Sequence, residues 1–453
     1  MEEKEFFEAL LSLLEAGDFS RLRAELSEFN EVDTADFLES LDTKDMIKVF
    51  RILPKDISAD VFSYLEPDDQ EDIVTGITDI ELRKLVDDLF LDDVVDMLEE
   101  VPANVVTRVL KNTSPDMRKT INTFLNYPED SAGSIMTNEM IALHDSLTVG
   151  EAIDQIRKTG EDKASIYTVY VIDSKRHLEG TIELADLIYN SYDVQLKDIM
   201  DGEKQLILAH TLDDQEEVAR MAKHYDLLSV PVVDKESRLV GIVTIDDVVD
   251  ILQEEATEDI EKMAAITPTD KPYMKTGIFE TYRTRMPWLL LLMISATFTG
   301  AIITKYEDAL SSFVILTAYI PMLMDTGGNS GSQASVSIIR ALSLGDVEFR
   351  LLPKVIWKEF RVAILCGATL AVANFVKLLV IDRLALNVAF VVCLTLWLVV
   401  IFAKFIGCFL PMLAHKLKLD PAVMASPLIT TIVDAVSLTV YFALATHILH
   451  IVV

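Results

Sequence analysis

The chain has 453 residues, with 73 Asp and Glu against 40 Lys and Arg, so its formal net charge is −33. This acidic balance argues against nucleic-acid binding, which requires a basic surface, and against docking on an anionic leaflet. Mean hydropathy is nevertheless positive, at +0.31. The acids concentrate in residues 1–270, whereas residues 271–453 are hydrophobic and slightly basic, so an acidic soluble half is expected to precede a membrane half.

Residues 1–130 carry short apolar clusters about every dozen positions, separated by acidic or proline turns. Clusters at helical spacing with a near-regular repeat predict a small all-α superhelix. The region shows no pairing of a nucleophile with a general base. It is therefore expected to be a binding or scaffolding domain.

Residues 134–200 and 201–254 form a duplication, in which each copy has a predicted helix, two β-branched runs joined by a polar turn, and a second helix. The pair resembles tandem CBS domains, which are regulatory modules that often bind adenosine nucleotides, so ATP is a candidate ligand. The second copy fits their G-h-h-[ST]-x-x-[DN] signature, with Thr244 and Asp247 as candidate contacts. The first copy departs from it, because Glu183 stands at the hydroxyl position.

An acidic connecting helix is predicted over residues 255–286, continuing from the second copy. Asp250, Glu254 and Glu258 stack at i, i+4 and i+8, where like charges destabilise a helix. A divalent cation would remove that penalty. The alternative is a solvated connector that binds nothing.

Residues 287–453 are predicted to form a five-helix transmembrane domain, since each apolar stretch is long enough to cross a bilayer. Basic residues cluster before the first stretch and in alternate loops. The positive-inside rule therefore places the acidic half in the cytoplasm and the C-terminus outside the cell membrane. The predicted spans are 287–305, 310–342, 355–381, 388–414 and 421–450.

The second span contains TGGNSGSQ, from Thr326 to Gln333, with Asp325 just before it. Three glycines and an amide in an apolar run predict loosened, polar backbone around Gly328, which is tolerated only against protein or a water-filled path. Counting from the outer ends of the spans puts Asp325 and Lys404 at one depth. A structural ion pair between these two residues is expected, because an unpaired charge in mid-membrane is costly.

Counting from the inner ends puts Asn329 and Asp434 at one depth, where Asp434 has no obvious basic partner. Thr430 and Ser426 follow on the same predicted helix face as Asp434. Carboxylate, amide and hydroxyl oxygens without sulfur or imidazole are the ligands that a hard cation prefers. This pattern favours a cation pathway over a purely structural role for Asp434.

The order of these parts, together with PMLMDTGGNSGSQASVSIIRAL and DPAVMASPLITTIVDAVSL, resembles the MgtE family of bacterial magnesium channels. The resemblance implies a homodimer in the bilayer whose second and fifth spans line one pore, where Asp434 coordinates Mg²⁺. It also implies uptake down the electrochemical gradient and closure by Mg²⁺ bound to cytoplasmic acids. Those acids are Asp92 and Asp96 in the N-domain, Asp214, Glu216 and Asp226 in the second CBS copy, and Asp250, Glu255, Glu258 and Asp259 in the connecting helix.

Three other classes of function compete with this interpretation. A CBS-regulated membrane sensor that conducts nothing is the main alternative, and ion flux separates it from a channel. An anion channel would need cationic side chains along the path, and only Lys404 is available. An enzyme is disfavoured, because the acidic half offers no nucleophile, base and orienting group together.

Overall fold

The computed structural model describes residues 2–55, 57–201, 206–269, 273–307, 313–424 and 426–450. It divides into two compact units, Met1–Leu252 and Gln253–Val453. The first unit contains an all-helical region and an α/β pair, and the second is helical. The predicted fold class, an all-helical region followed by an α/β pair and a helical second half, is confirmed.

The N-terminal region consists of short amphipathic helices, most of which bury one apolar face. Its helices are α1 (Glu2–Ala16), α2 (Phe19–Leu26), α3 (Glu31–Glu39), α4 (Thr43–Ile52), α5 (Ser58–Ser63), α6 (Pro67–Gly76), α7 (Asp79–Asp88), α8 (Leu91–Glu100), α9 (Ala103–Asn112) and α10 (Pro115–Phe124). Helices two positions apart pack together: α3 on α5, α4 on α6, α5 on α7 and α7 on α9. The near-regular repeat in the sequence therefore corresponds to a repeated helix contact.

Arginine side chains reinforce this contact by capping helix ends. Arg51 on α4 donates to the carbonyl of Gly76, the last residue of α6, at 2.9 Å. Arg83 on α7 donates to the carbonyl of Asn112, the last residue of α9, at 3.0 Å. The final carbonyls of a helix have no partner within it, so each arginine satisfies one of them and joins two helices.

The duplicated region forms two three-stranded sheets of the same topology. One has strands β1 (Ile141–His144), β2 (Thr168–Ile172) and β3 (Leu178–Glu183), and the other β4 (Ala209–His210), β5 (Ser229–Val233) and β6 (Leu239–Thr244). In each sheet the first two strands are parallel, the last two antiparallel, and the antiparallel register shifts near its end. The accompanying helices are α11 (Val149–Thr159), α12 (Leu184–Tyr189), α13 (Gln215–Tyr225) and α14 (Ile245–Met263).

Helix α14 runs without a break from the second CBS copy into the acidic connecting segment. The prediction of one connecting helix over 255–286 was wrong beyond Met263. Ala265 has a positive φ of 56°, which few L-residues adopt inside a helix, and a new helix begins only at Ile278. That helix includes Arg283 and Arg285, which precede the predicted first span, so the first membrane helix starts earlier than predicted.

The second unit packs long helices around one central helix. These helices are α15 (Ile278–Lys305), α16 (Ile320–Ser343), α17 (Leu352–Val380), α18 (Leu386–Lys416) and α19 (Ser426–Ile448). Helix α18 contacts α16, α17 and α19, and α15 contacts α19. Among the described residues, the helices long and apolar enough to cross a membrane are α15, α17, α18 and α19. Helix α16 is not among them, because its sequence is too polar.

The TGGNSGSQ motif is not loosened backbone, as the sequence had suggested, but lies inside the regular helix α16. Its glycines instead allow neighbouring helices to approach closely. A Cβ on Gly407 of α18 would collide with the backbone carbonyl of Gly331, and a Cβ on Gly328 would collide with Thr430 of α19. The motif therefore acts through helix packing.

Replacing Gly407 by Ala should destabilise the membrane unit by about 1–3 kcal/mol, because a backbone carbonyl cannot move aside as a side chain can. Thermal unfolding of the purified full-length protein in detergent would measure this as a lower melting temperature. Gly300→Ala is the matched control, since a Cβ there meets nothing within 4 Å. Equal melting temperatures for the two variants would contradict the packing argument.

Candidate functional site

The candidate ion path lies along the contact between α16 and α19. Gly328 faces Thr430, and a Cβ placed on Gly327 would lie 3.0 Å from Val433 and 2.9 Å from the Ser437 Oγ. The contacts move toward the C-terminus of α19 as they move toward the N-terminus of α16, so the two helices are antiparallel. The predicted pore residues Gly328 and Thr430 are thus brought into direct contact.

Asp434 lies on α19 one turn beyond Thr430 toward the C-terminus. Its Oδ1 atom is buried and receives no hydrogen bond from the residues that the structure describes. The Oγ of Ser437, three positions further on, is also buried and has no hydrogen-bond partner among the described residues. Carboxylate and hydroxyl oxygens without donors are suited to a hard cation. Ser426 begins α19, and its side chain lies outside the described part of the structure.

Helix α16 carries an exposed polar face on the surface of an otherwise apolar bundle. Asp325, Asn329, Gln333 and Ser337 are exposed and follow one another at four-residue spacing, so they share one side of the helix. The predicted pore residue Asn329 is on this side. A face of this composition is costly against lipid, so it requires either a protein partner or water.

The predicted ion pair between Asp325 and Lys404 was wrong. The Lys404 Nζ lies 3.5 Å from the Glu359 Oε2 of α17, and both side chains are largely buried. A Cβ on Gly327 would lie 2.6 Å from Val399, and a Cβ on Gly331 would lie 3.3 Å from the carbonyl oxygen of Ala403, so Lys404 lies about two turns from the level of Asp325. Counting along the spans therefore misjudged the relative depth of these two residues. It also could not show the direction in which each side chain points, so it did not identify Glu359 as the partner.

A second site of interest is the acidic contact between α8 and the start of α14. Asp92 has a buried Oδ1 with no hydrogen-bond partner among the described residues. Burial, reinforced by the neighbouring carboxylates of Asp93 and Asp247, raises the pKa of Asp92 well above its ordinary value. Burial and the charge of Asp247 raise the pKa of Asp93 to about 7. Burial likewise raises the pKa of Asp247 to about 6, although hydrogen bonds from Thr244 oppose it. Among the described residues, no cationic side chain forms an ion pair with these three carboxyl groups.

The other predicted regulatory acids are spread over the first unit. Asp96 is exposed on α8, and Asp250 is exposed on α14. Asp214 caps the N-terminus of α13 and Asp226 caps its C-terminus. A helix of this length separates its two ends by about 16 Å, so these two acids cannot share one ion. Glu216 follows Asp214 in the first turn and donates its backbone N–H to the Asp214 Oδ1 at 2.9 Å.

Within the second unit, a lysine joins the end of α14 to the loop before α19. Lys262 bridges the Glu258 Oε1 at 2.5 Å and the Asp420 Oδ2 at 2.7 Å. Burial and the charge of Asp420 raise the pKa of Asp259. Glu255 lies one turn earlier on the helix. Asp420 was missed from the sequence, although it is the only acid between the basic end of α18 and α19.

Within the described part of the chain, no three His, Cys, Asp or Glu side chains converge on a geometry that would hold a metal ion. The predicted regulatory residues therefore do not form a complete metal site within this single chain as it stands. A complete set of ligands for a bound ion would require these groups to move or a second copy of the chain to supply the remaining ligands.

The predicted nucleotide contacts do not lie at an open cleft. The Thr244 Oγ1 donates to the Asp247 Oδ2 at 2.5 Å, and Thr244 is buried. A cleft of about 720 Å³ lies instead beside the first copy, and its lining includes Glu183, Asp201 and Asp226. None of the described residues that line it is Lys or Arg.

Comparison with known proteins covers nearly the whole chain. Residues 29–130 match the family model described as the MgtE intracellular N domain. Residues 132–193 and 196–254 match the CBS domain. Residues 320–444 match the model described as a divalent cation transporter, MgtE.

Two curated relatives are similar along their full length. The magnesium transporter MgtE of Thermus thermophilus is 36% identical over 98% of this chain and 98% of its own length. The magnesium transporter MgtE of Bacillus subtilis is 33% identical over 97% of both chains. Among solved structures, the cytosolic domain of the Mg²⁺ channel MgtE in complex with ATP is 35% identical, with a TM-score of 0.52, and covers 54% of this chain and 99% of its own.

The buried carboxyls predict how pH affects the stability of the first unit. Their raised pKa values mean that the folded state holds protons that the unfolded state releases. Stability should therefore be greatest below the ordinary Asp range and should fall as pH rises through about 6 and about 7, by up to about 1.4 kcal/mol per pH unit for each carboxyl. Melting curves of the full-length protein in the presence of a chelator would measure this fall.

Added Mg²⁺ should restore stability at high pH, because a cation replaces the lost protons. Asp93→Asn should make the dependence on pH shallower, and Asp87→Asn, which removes an exposed acid on α7, should leave it unchanged. A melting temperature that rises with pH would contradict the burial of these carboxyls.

Proposed function

This chain belongs to the MgtE family of magnesium transporters, and from that premise we propose that it is a channel that admits Mg²⁺ down its electrochemical gradient. Carrying two charges inward across a negative-inside membrane releases about 4.6 kcal/mol per 100 mV. That potential is a sufficient driving force without a coupled reaction. The proposed location is the bacterial cell membrane, with the N-terminal half in the cytoplasm and the C-terminus outside.

One observation carries the proposal: a buried carboxylate oxygen of Asp434, which receives no hydrogen bond from the described residues, lies next to the exposed polar face of α16. A bundle that exposed this face to lipid would be destabilised, because each polar side chain is costly in hydrocarbon. A second copy placed against it would enclose the face and leave room for a hydrated ion. We therefore propose a homodimer with the path between α16 and α19 of both subunits.

Mg²⁺ gives up its water reluctantly. Asp434 and Asn329 are proposed to hold the ion through its hydration shell, while Gly328, Thr430 and Ser426 shape the path. An ion held in this way keeps a near-complete octahedron of oxygen ligands at little cost. The close packing of Gly328 on Thr430 keeps the two helices at a fixed separation.

Closure is proposed to follow from the acids of the first unit and of α14. At low internal Mg²⁺, the carboxylates around Asp92, Asp96 and Asp247 repel one another. At high internal Mg²⁺, ions neutralise them and the carboxylates of Asp214, Glu216, Asp226 and Asp250. The end of α14 is then held at the inner ends of α16 and α19, where Met263 packs against Ile339 and Ala422. Ligand binding thereby biases a two-state element.

The proposed gating uses Mg²⁺ without a nucleotide. A relative's cytosolic domain has been crystallised with ATP, so ATP stays a candidate ligand of the CBS pair. Thr244 and Asp247, which fit the nucleotide signature, bond to each other in this chain. The closure proposed here requires Mg²⁺ alone.

Asp434→Asn should abolish Mg²⁺ uptake while leaving assembly intact, because it removes the charge that attracts the ion and keeps the shape of the side chain. The measurement is Mg²⁺-sensitive dye fluorescence in proteoliposomes under an imposed negative-inside potential. Asp346→Asn, at an exposed loop acid after α16, is the matched control. Full uptake by the Asp434 variant would contradict the ion path, and a wild-type protein without flux would favour the non-conducting sensor.

Neutralising the acids at the end of α14 should leave the channel open at high internal Mg²⁺. The variant is Glu255→Gln, Glu258→Gln and Asp259→Asn combined, and patch-clamp recording with Mg²⁺ on the cytoplasmic side measures the open fraction. Asp87→Asn with Asp88→Asn removes exposed acids of α7 as a control. Closure of the triple variant at the wild-type Mg²⁺ concentration would reject this account of gating.

A further inference from the structure

Asp325 is left without a role once its predicted partner Lys404 is seen to pair with Glu359. It is exposed on α16 and forms no ion pair with any residue that the structure describes. A carboxylate in this position within a membrane helix is costly unless it faces water, an ion or a partner. Its surroundings therefore indicate what it does.

The helix contact fixes the neighbour of Asp325. Gly328 of α16 faces Thr430 of α19. Asp325 lies three residues before Gly328, and Asp434 lies four residues after Thr430, so each is one turn from the contact and on the same side of its helix. Because the helices are antiparallel, both turns lead in the same direction, toward the outer end. The two carboxylates therefore lie at one level.

A buried hydroxyl lies at the same level. Ser437 is only 1% exposed, and its Oγ has no hydrogen-bond partner among the described residues. It points toward α16, since a Cβ on Gly327 would lie 2.9 Å from that oxygen. Ser437 follows Asp434 by three residues, so the two side chains are neighbours on one side of α19. An unpartnered hydroxyl oxygen next to a carboxylate is an arrangement that a cation would complete.

We propose that Asp325 is a second carboxylate of the ion path, which with Asp434 and Ser437 holds a divalent cation one turn outward of the contact between Gly328 and Thr430. This inference rests on the proposed channel function and adds a residue that sets how tightly the channel holds its ion. Each subunit then supplies two carboxylates at this level. The ion is attracted more strongly there than by Asp434 alone.

The test is Mg²⁺ flux in proteoliposomes of the full chain, measured over a range of external Mg²⁺. Asp325→Asn should raise the half-saturating Mg²⁺ concentration about tenfold, since it removes one charge a few ångströms from the ion. The maximal rate should remain within about twofold of the wild type, because Asp434 still provides a charge at the same level. Ser437→Ala should cause a smaller rise of about threefold, because it removes a neutral ligand.

Two additional measurements separate direct binding of the ion from long-range attraction and from a structural role of the side chain. Asp325→Glu should restore the wild-type half-saturating concentration to within about threefold, which a purely structural role for the aspartate would not require. The effect of Asp325→Asn should persist when KCl is raised from about 0.1 M to about 1 M, which shortens the screening length from about 10 Å to about 3 Å. An effect that vanishes at high salt would mean that Asp325 only attracts ions to the mouth, and would overturn the proposal.

The controls distinguish failure of this inference from failure of the proposed function. Asp434→Asn should abolish flux, and Asp346→Asn should leave the half-saturating concentration unchanged. If Asp434→Asn abolishes flux while Asp325→Asn leaves the half-saturating concentration unchanged, the channel stands and the role of Asp325 is rejected. If the Asp325 variant fails to assemble, Asp325→Ser replaces it under the same criteria, with assembly checked by gel filtration.

Discussion

The close approach of α16 to α18 and α19 is the contact on which the membrane unit depends. Glycines at 327, 328, 331 and 407 let backbones come within the distance that any side chain would prevent. This approach sets Asp434 beside the polar face of α16 and determines which side chains share a level. A membrane bundle gains no hydrophobic driving force from burying apolar groups, so tight packing of this kind provides much of its cohesion.

The acidic contact between α8 and the start of α14 destabilises the first unit, because it holds carboxyl groups close together. Asp92, Asp93 and Asp247 are brought together without an ion pair to any cationic side chain in the described part of the chain, and each holds its proton more tightly than an exposed carboxyl does. The apolar core beneath them, which includes Val94, Leu98 and Val248, supplies the opposing stabilisation. A balance of this kind is easily shifted by a divalent ion, since one ion relieves several repulsions at once.

Much of the architecture follows from sequence periodicity, and the details that do not follow have identifiable causes. The helices and the duplication were predictable, because period and length are local properties. The partner of Lys404 was not, because it depends on the register of α16 against α18 and on the rotation of each helix about its own axis. The role of the TGGNSGSQ glycines was misjudged for a related reason. A glycine in a membrane span can mark either loosened backbone or a closely packed neighbouring helix. The sequence alone does not separate these two cases, whereas the contact of Gly407 with the backbone of α16 identifies the second.

The polarity of α16 also bears on how the protein is made. Its neighbours are apolar enough to partition into lipid as single helices, whereas α16 is not. Charged and amide side chains at the centre of a segment oppose its release from the insertion machinery. Helix α18, which covers the glycine face of α16, is synthesised about sixty residues later. Biogenesis must therefore retain α16 in a protein-lined environment until α18 emerges, so that this unit enters the bilayer as an assembled group of helices.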